Sequence, residues 1–348
     1  MIDTRLLLSL IIAALASAPL AADGAPPRPG ADTRRAAWLN RFAEARQGPE
    51  QTDRIVQTIE VGPNGALDLS NISGSVRVTG DGGTGIRIEA TKRVRHRDED
   101  EARRLLQQLR VDITTVGGRV EVRTTYPRRG GQGRDRASAS VDYVVAVPVG
   151  AAVAVKTISG DVSVSRVNGE VRAEAVSGDV AVSATPNLAV AKTVSGNVTA
   201  REVSGAIAVS LGSVSGTVVA AGLTARSLEC GSVSGDVQLS NLQVERLQVK
   251  SVSGDIDFQA VLARGGRYDL TSHSGDIRVV LGSDMGFELD ASTFSGSVRS
   301  DVPVTLRSPG GNGRGRRAEV RTIRGSYGDA SAILVLQTFS GTVVIGRK

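Results

Sequence analysis

Residues 247–258, LQVKSVSGDIDF, hold the pattern that decides the fold. Leu247, Val249, Val252, Ile256 and Phe258 fall at −7, −5, −2, +2 and +4 from Gly254. Steps of two mark strands with one buried face, since successive strand side chains point to opposite sides. The single step of three, from Val249 to Val252, predicts a bend or bulge that keeps all five residues inward. Glycine suits such a corner, because it accepts backbone angles other residues avoid and lets neighbouring backbone come close.

The corner recurs as ISGDV (158–162), VSGDV (176–180), VSGNV (194–198), VSGTV (214–218), VSGDV (233–237), HSGDI (273–277) and FSGSV (294–298). Its glycines, Gly160, Gly178, Gly196, Gly216, Gly235, Gly254, Gly275 and Gly296, are separated by 18, 18, 20, 19, 19, 21 and 21 residues. Nine residues after the first three stand Gly169, Asn187 and Gly205, a weaker echo that predicts a second, looser corner in each period. A propeller blade needs four strands and roughly 40 residues, twice this period. A coil of this length cannot bury its own apolar stripe, but stacked on its neighbour at roughly 4.8 Å it pairs its backbone above and below. The expected fold is therefore all-β: a right-handed β-solenoid, single-stranded β-helix or β-roll-like, with one helix in the N-terminal part. Aromatic residues make up only 3% of the chain, so the core must come from Val, Ile, Leu and Ala.

Outside residues 151–348, which form the repeat array, the chain divides into three parts. Residues 1–22 carry Arg5, an apolar run from Leu6 to Ala16 and small residues to Ala22, the pattern of a secretory signal peptide too short to span a bilayer. No cysteine follows that run, and no second apolar run reaches transmembrane length, so an exported protein without lipid or transmembrane anchor is expected, in the periplasm, on the cell surface or outside. Residues 23–54 are rich in Pro, Gly and charge and read as a flexible segment; its short helix, Ala36 to Arg46 with Trp38, Leu39 and Phe42, is a candidate docking element.

Residues 55–150 read as a β-rich capping part. Leu67, Leu69, Ile72, Val76 and Val78 already repeat the template around Gly74, and strands are expected at 86–90, 111–115, 119–125 and 141–147. Asp98 to Leu109 predicts a helix, its acidic first turn favoured by the macrodipole, and a candidate cap against end-to-end stacking. At the other end Leu334, Leu336, Phe339, Val343 and Ile345 recover the template and close the array.

Several columns bear on chemistry. Ser159, Ser177, Ser195, Ser215, Ser234, Ser253, Ser274 and Ser295 precede the glycines and predict a ladder of hydroxyls bonded to one another and to turn amides. A nucleophilic serine needs a positioned base. The chain has only His96 and His273, and His273, in a corner slot otherwise held by Val or Ile, reads as packed or capped. After the glycines come Asp161, Asp179, Asn197, Thr217, Asp236, Asp255, Asp276 and Ser297. The five aspartates are a conceivable calcium column, but calcium β-rolls use G-G-x-G-x-D, and the favoured reading is outward, turn-bonding residues. Cys230, at −5, reads as core filler. No catalytic residue and no cofactor is expected.

The net charge of +6 is concentrated in RRGGQGRDR (128–136) and SPGGNGRGRR (308–317), read as solvated loops or as contacts for an anionic surface such as lipid headgroups or acidic polysaccharide. Nucleic acid is disfavoured by the export signal and the shortage of stacking aromatics.

The VSGDV corners, NISGSVRVTG at 71–80, SVDYVVAVPVG at 140–150 and TFSGTVVI at 338–345 resemble, as an ordered set, the putative-adhesin family of bacterial β-strand-repeat proteins, a domain family of unknown function. The resemblance spans roughly residues 55–346. It implies a β-helix-like fold and an envelope or surface location, and brings no catalytic residues. The function expected is a non-enzymatic adhesin or envelope scaffold, with a surface glycan, an anionic envelope component or a protein as partner and the oligomeric state open. A polysaccharide-processing β-helix enzyme, or a structural or signalling component without its own ligand, are the alternatives.

Overall fold

The computed structural model describes residues 50–127, 138–282, 286–306 and 321–347. The leader, the Trp38 segment and both Gly/Arg-rich stretches lie outside the described residues, except that residues 50–54 open the strand Glu50–Glu60. Among the described residues, 24 strands join in one mixed sheet and one helix stands apart from it.

Each period forms one rung, named here for its corner glycine. The strand before the corner pairs in parallel with its counterpart one period on, Leu228 with Leu247 and Cys230 with Val249. The strand after it does the same, Val162 with Val180 and Val180 with Val198. At the corner the glycine N–H donates to the serine carbonyl of the next rung, as from Gly235 to Ser253 at 3.0 Å. The glycines stand in a file so tight that a Cβ on any from Gly160 onward would lie 2.0–2.4 Å from the carbonyl oxygen of the one below.

That file gives the order of the rungs in space, and it departs from chain order at one end. It runs Gly74, Gly160, Gly178, Gly196, Gly216, Gly235, Gly254, Gly275, Gly341, Gly296. The C-terminal strands Ala332–Ser340 and Val343–Arg347 do not close the stack. They are inserted between the Gly275 and Gly296 rungs, so that Leu336 pairs with both Leu270 and Ala291, and Val343 with both Ile277 and Val298. The outer end is closed by Thr322–Tyr327, which runs antiparallel to Phe287–Ser295.

At the opposite end Ala66–Ser73 and Val76–Asp81 form a first full rung beneath Ala152–Ser159 and Val162–Ser165. Arg119–Thr125 and Ser138–Pro148 continue below it in parallel, and then the direction reverses. Arg110–Val116 lies antiparallel on the first of these, Gly85–Arg95 on the second, and Glu50–Glu60 outermost. The helix spans Glu99–Gln108, with Asp98 as N-cap accepting from Asp100 N at 2.9 Å and Glu101 N at 3.3 Å. It buries Ala102 and packs on the two outermost strands, Glu50–Glu60 and Gly85–Arg95. Charged pairs decorate that edge, such as Lys92–Asp53 at 3.0 Å and Arg54–Glu89 at 2.6 Å, which discourages another chain from pairing there.

The core is the aliphatic file expected, filled out by Phe258, Phe287, Tyr143 and Tyr268. One template position is reversed. The −2 residues do not turn inward: Ile158 is 52% exposed, Val176 47% and Val252 47%. Outside the Gly196 rung, where a register shift turns Leu188 rather than Ala189 inward, strand alternation runs unbroken through −7, −5 and −3, and the inward slot beside the corner belongs to Thr157, Thr193, Ser213, Ser232, Ser251 and their equivalents, all buried.

The physical reason is the glycine carbonyl, which the strand ladders leave without a backbone partner among the described residues. In five rungs the −3 hydroxyl supplies it: Thr193 donates to Gly178 O at 2.9 Å, Ser213 to Gly196 O at 2.8 Å, Ser232 to Gly216 O at 3.1 Å, Thr293 to Gly341 O at 3.0 Å and Thr338 to Gly275 O at 3.1 Å, whereas the Thr157 and Ser272 hydroxyls are buried without a partner among the described residues and Ala175 has none to give. An aliphatic side chain there would bury an unpaired acceptor, at a cost of about 1–3 kcal/mol per rung. The second bend also differs from expectation. Its left-handed residues are Arg166, Ala184, Glu202, Gly222 and Asn241, the first three standing three positions before Gly169, Asn187 and Gly205.

Candidate functional site

Around each corner the outward residues follow in order: −4, −2, then −1 and +1 beyond the turn. Stacking turns each position into a row along the sheet. The −2 row is Ile72, Ile158, Val176, Val194, Val214, Val233, Val252, His273, Phe339 and Phe294 in spatial order, apart from His273 entirely apolar and exposed throughout. At roughly 4.8 Å per step it is about 43 Å long. Its last three members form a ring stack, with Phe339 centred 5.0 Å from His273 and 4.7 Å from Phe294, at interplanar angles of 12° and 8°. His273 is therefore an exposed rung of this row, not a packed histidine.

The −1 serines are exposed, and the ladder uses their backbone carbonyls; the hydroxyls that bond the corner are the −3 ones, two residues earlier. The +1 residues cap turn amides of the following rung. Asp161 Oδ1 accepts from Asp179 N at 2.9 Å, Asp179 from Asn197 N at 2.7 Å, Asp236 from Asp255 N at 3.0 Å, Asp255 from Asp276 N at 2.8 Å, and Asp276 from Thr342 N at 2.7 Å. Asn197 does the same for Thr217 at 2.9 Å. These amides lie on the corner itself, so the carboxylate row completes the turn, as Asx residues do elsewhere. Among the described residues no three His, Cys, Asp or Glu side chains gather so as to hold a metal ion. Millimolar calcium is accordingly expected to move the melting temperature by less than about 2 °C; a rise of many degrees would reveal binding to the folded state.

The strand flank before the corner carries a different surface. A groove of about 410 Å³ runs across the Gly216 to Gly275 rungs, where small Ala208, Ser210 and Ser227 give way to Glu229, Arg246, Gln248, Arg267 and Asp269. Arg267 is held by Asp269 at 2.9 and 3.1 Å, whereas among the described residues the side chains of Arg246 and Gln248 carry no hydrogen bond or ion pair. A second hollow of about 480 Å³ lies beside the apolar row at its N-terminal end, between Lys156, Glu174, Ile158 and Val176. Cys230 is wholly buried, which pushes its thiol well above the ordinary range and keeps it inert. Tyr126 and Tyr143, both raised to about 12 by burial, belong to a polar knot with Asn71 and Thr124 beneath the first rung; Tyr126 Oη donates to Ser73 O at 2.6 Å.

Parallel rungs keyed by one glycine file, with ordered rows of exposed side chains along it, define a β-rung repeat protein. The chain belongs to the Toastrack DUF4097 family, whose model matches residues 144–345. The match starts within the strand Ser138–Pro148 and takes in every rung from Gly160 onward, leaving out the Gly74 rung and the helix. Similar solved structures include a "putative lipid binding protein" from Parabacteroides distasonis, 11% identical, TM-score 0.44, covering 85% of this chain and 97% of that one. A "putative adhesin" from Bacteroides fragilis is 14% identical, TM-score 0.39, covering 84% and 97%. A "putative cell adhesion protein" from Clostridium sporogenes is 9% identical, TM-score 0.28, covering 86% and 100%. No curated protein matches the chain.

Proposed function

We propose that the protein is an exported, non-enzymatic β-solenoid of the cell envelope, an adhesin or binding scaffold that holds a glycan against the polar flank of its rungs. The observation that carries this reading is the flank groove, where the unpaired Arg246 guanidinium and Gln248 amide face outward beside the Arg267–Asp269 pair. Fixed donors and acceptors on rigid strands suit a polyhydroxyl ligand, because their geometry is set before binding. The apolar leader run, Leu6 to Ala16, supports export.

The test is retention on purified peptidoglycan and a glycan array, with turnover followed in the same samples. The double change Arg246→Ala and Gln248→Ala is expected to weaken binding about tenfold or more, with the melting temperature unchanged, since both side chains are exposed. Absence of retention on every glycan, or release of cleavage products, would overturn the reading.

A further inference from the structure

The apolar −2 row is not part of the polar flank, and nothing among the described residues covers it. It exposes roughly 800 Å², more than the few hundred Å² of contiguous apolar surface that monomers ordinarily leave in water. That is also about the area each partner contributes to a standard stable interface. The row repeats at the strand spacing, so its best-fitting counterpart is a ridge of the same repeat. The chain itself carries one.

The bordering rows choose between the two ways that copies can meet. On the −4 side of the ridge stand Lys156, Lys192 and Lys250, with Glu174 bridged to Lys156 at 3.4 Å. On the +1 side stand Asp161, Asp179, Asp236, Asp255 and Asp276. A two-fold axis across the ridge would set lysines against lysines and aspartates against aspartates. A two-fold axis along the ridge sets the lysine border of each copy against the aspartate border of the other, rung facing like rung. Lys156 then meets Asp161 of the second copy, and Lys250 meets Asp255. Opposite charges at an interface rim favour one register and penalise the reverse.

We infer that two copies of this chain associate side by side and in parallel through the −2 row, with the axis running along the stack. In this arrangement each ridge residue meets its own counterpart. Val214 faces Val214, and the His273, Phe339 and Phe294 stacks adjoin each other. The surface is isologous, as two-fold interfaces require. The inference stands apart from the glycan reading, since the groove and the ridge are different surfaces.

Sedimentation velocity on the purified protein is expected to give twice the chain mass at micromolar concentration. Val233→Asp puts a carboxylate in the middle of the ridge, where it would be buried unpaired on association, and is expected to weaken the dimer at least about 100-fold. Melting should be unaffected, because Val233 is already 44% exposed. Orientation is read by single cysteines. Ile158→Cys and Phe294→Cys, tested separately under mild oxidation, should each give a covalent homodimer, while buried Cys230 takes no part.

A monomer at all concentrations would overturn the inference, as would a dimer indifferent to Val233→Asp. Cross-linking of 158 only to 294 in a mixed sample would reveal the antiparallel pairing and sink the parallel one. A monomer that floats with phosphatidylglycerol vesicles, and loses that property with Val233→Asp, would give the ridge to a lipid surface instead. Glycan retention by the Val233→Asp monomer reports separately on the groove.

Discussion

Replacing Gly235 by alanine is expected to cost about 3–5 kcal/mol, a large fraction of the stability of an ordinary domain. Two terms act together. The residue sits at φ +151°, a conformation costly for any L side chain, by about 1–3 kcal/mol. The added Cβ would also fall 2.3 Å from Gly216 O and 2.6 Å from Gly216 C, backbone atoms that cannot swing aside without lifting one rung off the next.

The molecule contains its own control. Gly222 lies at φ +65° in the second bend, where the nearest atom to a new Cβ is 3.8 Å away. Ala184 already occupies the equivalent place two bends away at φ +51°, and Arg166 and Glu202 do likewise. Gly222→Ala should therefore cost only about 1–2 kcal/mol, the ordinary penalty of a left-handed residue. Urea melts of the two variants, with amide exchange to localise the damage, check the contrast. Equal costs would mean that the glycine file is not what sets rung spacing.

The same comparison shows what could be read from the sequence. The glycine file, the inward −7, −5, +2 and +4 residues and the N-terminal strands and helix were legible, because each rests on a local rule: parity, corner glycine or cap. The −2 row was misread because Val176 and Val252 are as apolar as Val171 and Val249, and hydrophobicity alone sends all of them inside. A signal for the correct reading existed in the neighbouring column. Asn71, Thr157, Thr193, Ser213, Ser232, Ser251, Ser272, Thr293 and Thr338 are small and polar at −3 in every rung but that of Gly178, where Ala175 stands, and a small polar residue is what a buried corner carbonyl needs.

Rung order was not legible for a different reason. Every rung presents the same glycine and the same aliphatic file, so local pattern defines a rung without naming its neighbours. The flank groove also escaped, because Glu229, Gln248 and Asp269 lie on successive rungs and converge only once the stack is built.

The insertion at the C-terminal end makes the second large prediction. Ending the chain after Ser331 removes Ala332, Leu334, Leu336, Val343 and Ile345, each fully buried. The four larger ones are worth about 1.5–3 kcal/mol apiece, so the loss is on the order of 10 kcal/mol as an upper bound. Had the last rung in sequence also been last in space, its removal would shorten the stack and leave the rest standing, as in other repeat arrays. Here it withdraws the spacer between two rungs. The Gly275 rung loses its neighbour on both strands, and Phe287–Ser295 keeps only the antiparallel strand Thr322–Tyr327.

Amide exchange should then show protection lost across Phe287–Ser300, while the Gly160 to Gly216 rungs hold theirs. A synthetic peptide of residues 331–348 should restore it, because the open slot offers unpaired backbone on both sides to an incoming strand. Native protection at Phe287–Ser295 in the truncated chain without peptide would mean that the outer rung can settle directly onto the Gly275 rung. In that case the shared glycine key, rather than the inserted C-terminus, would determine which rungs touch.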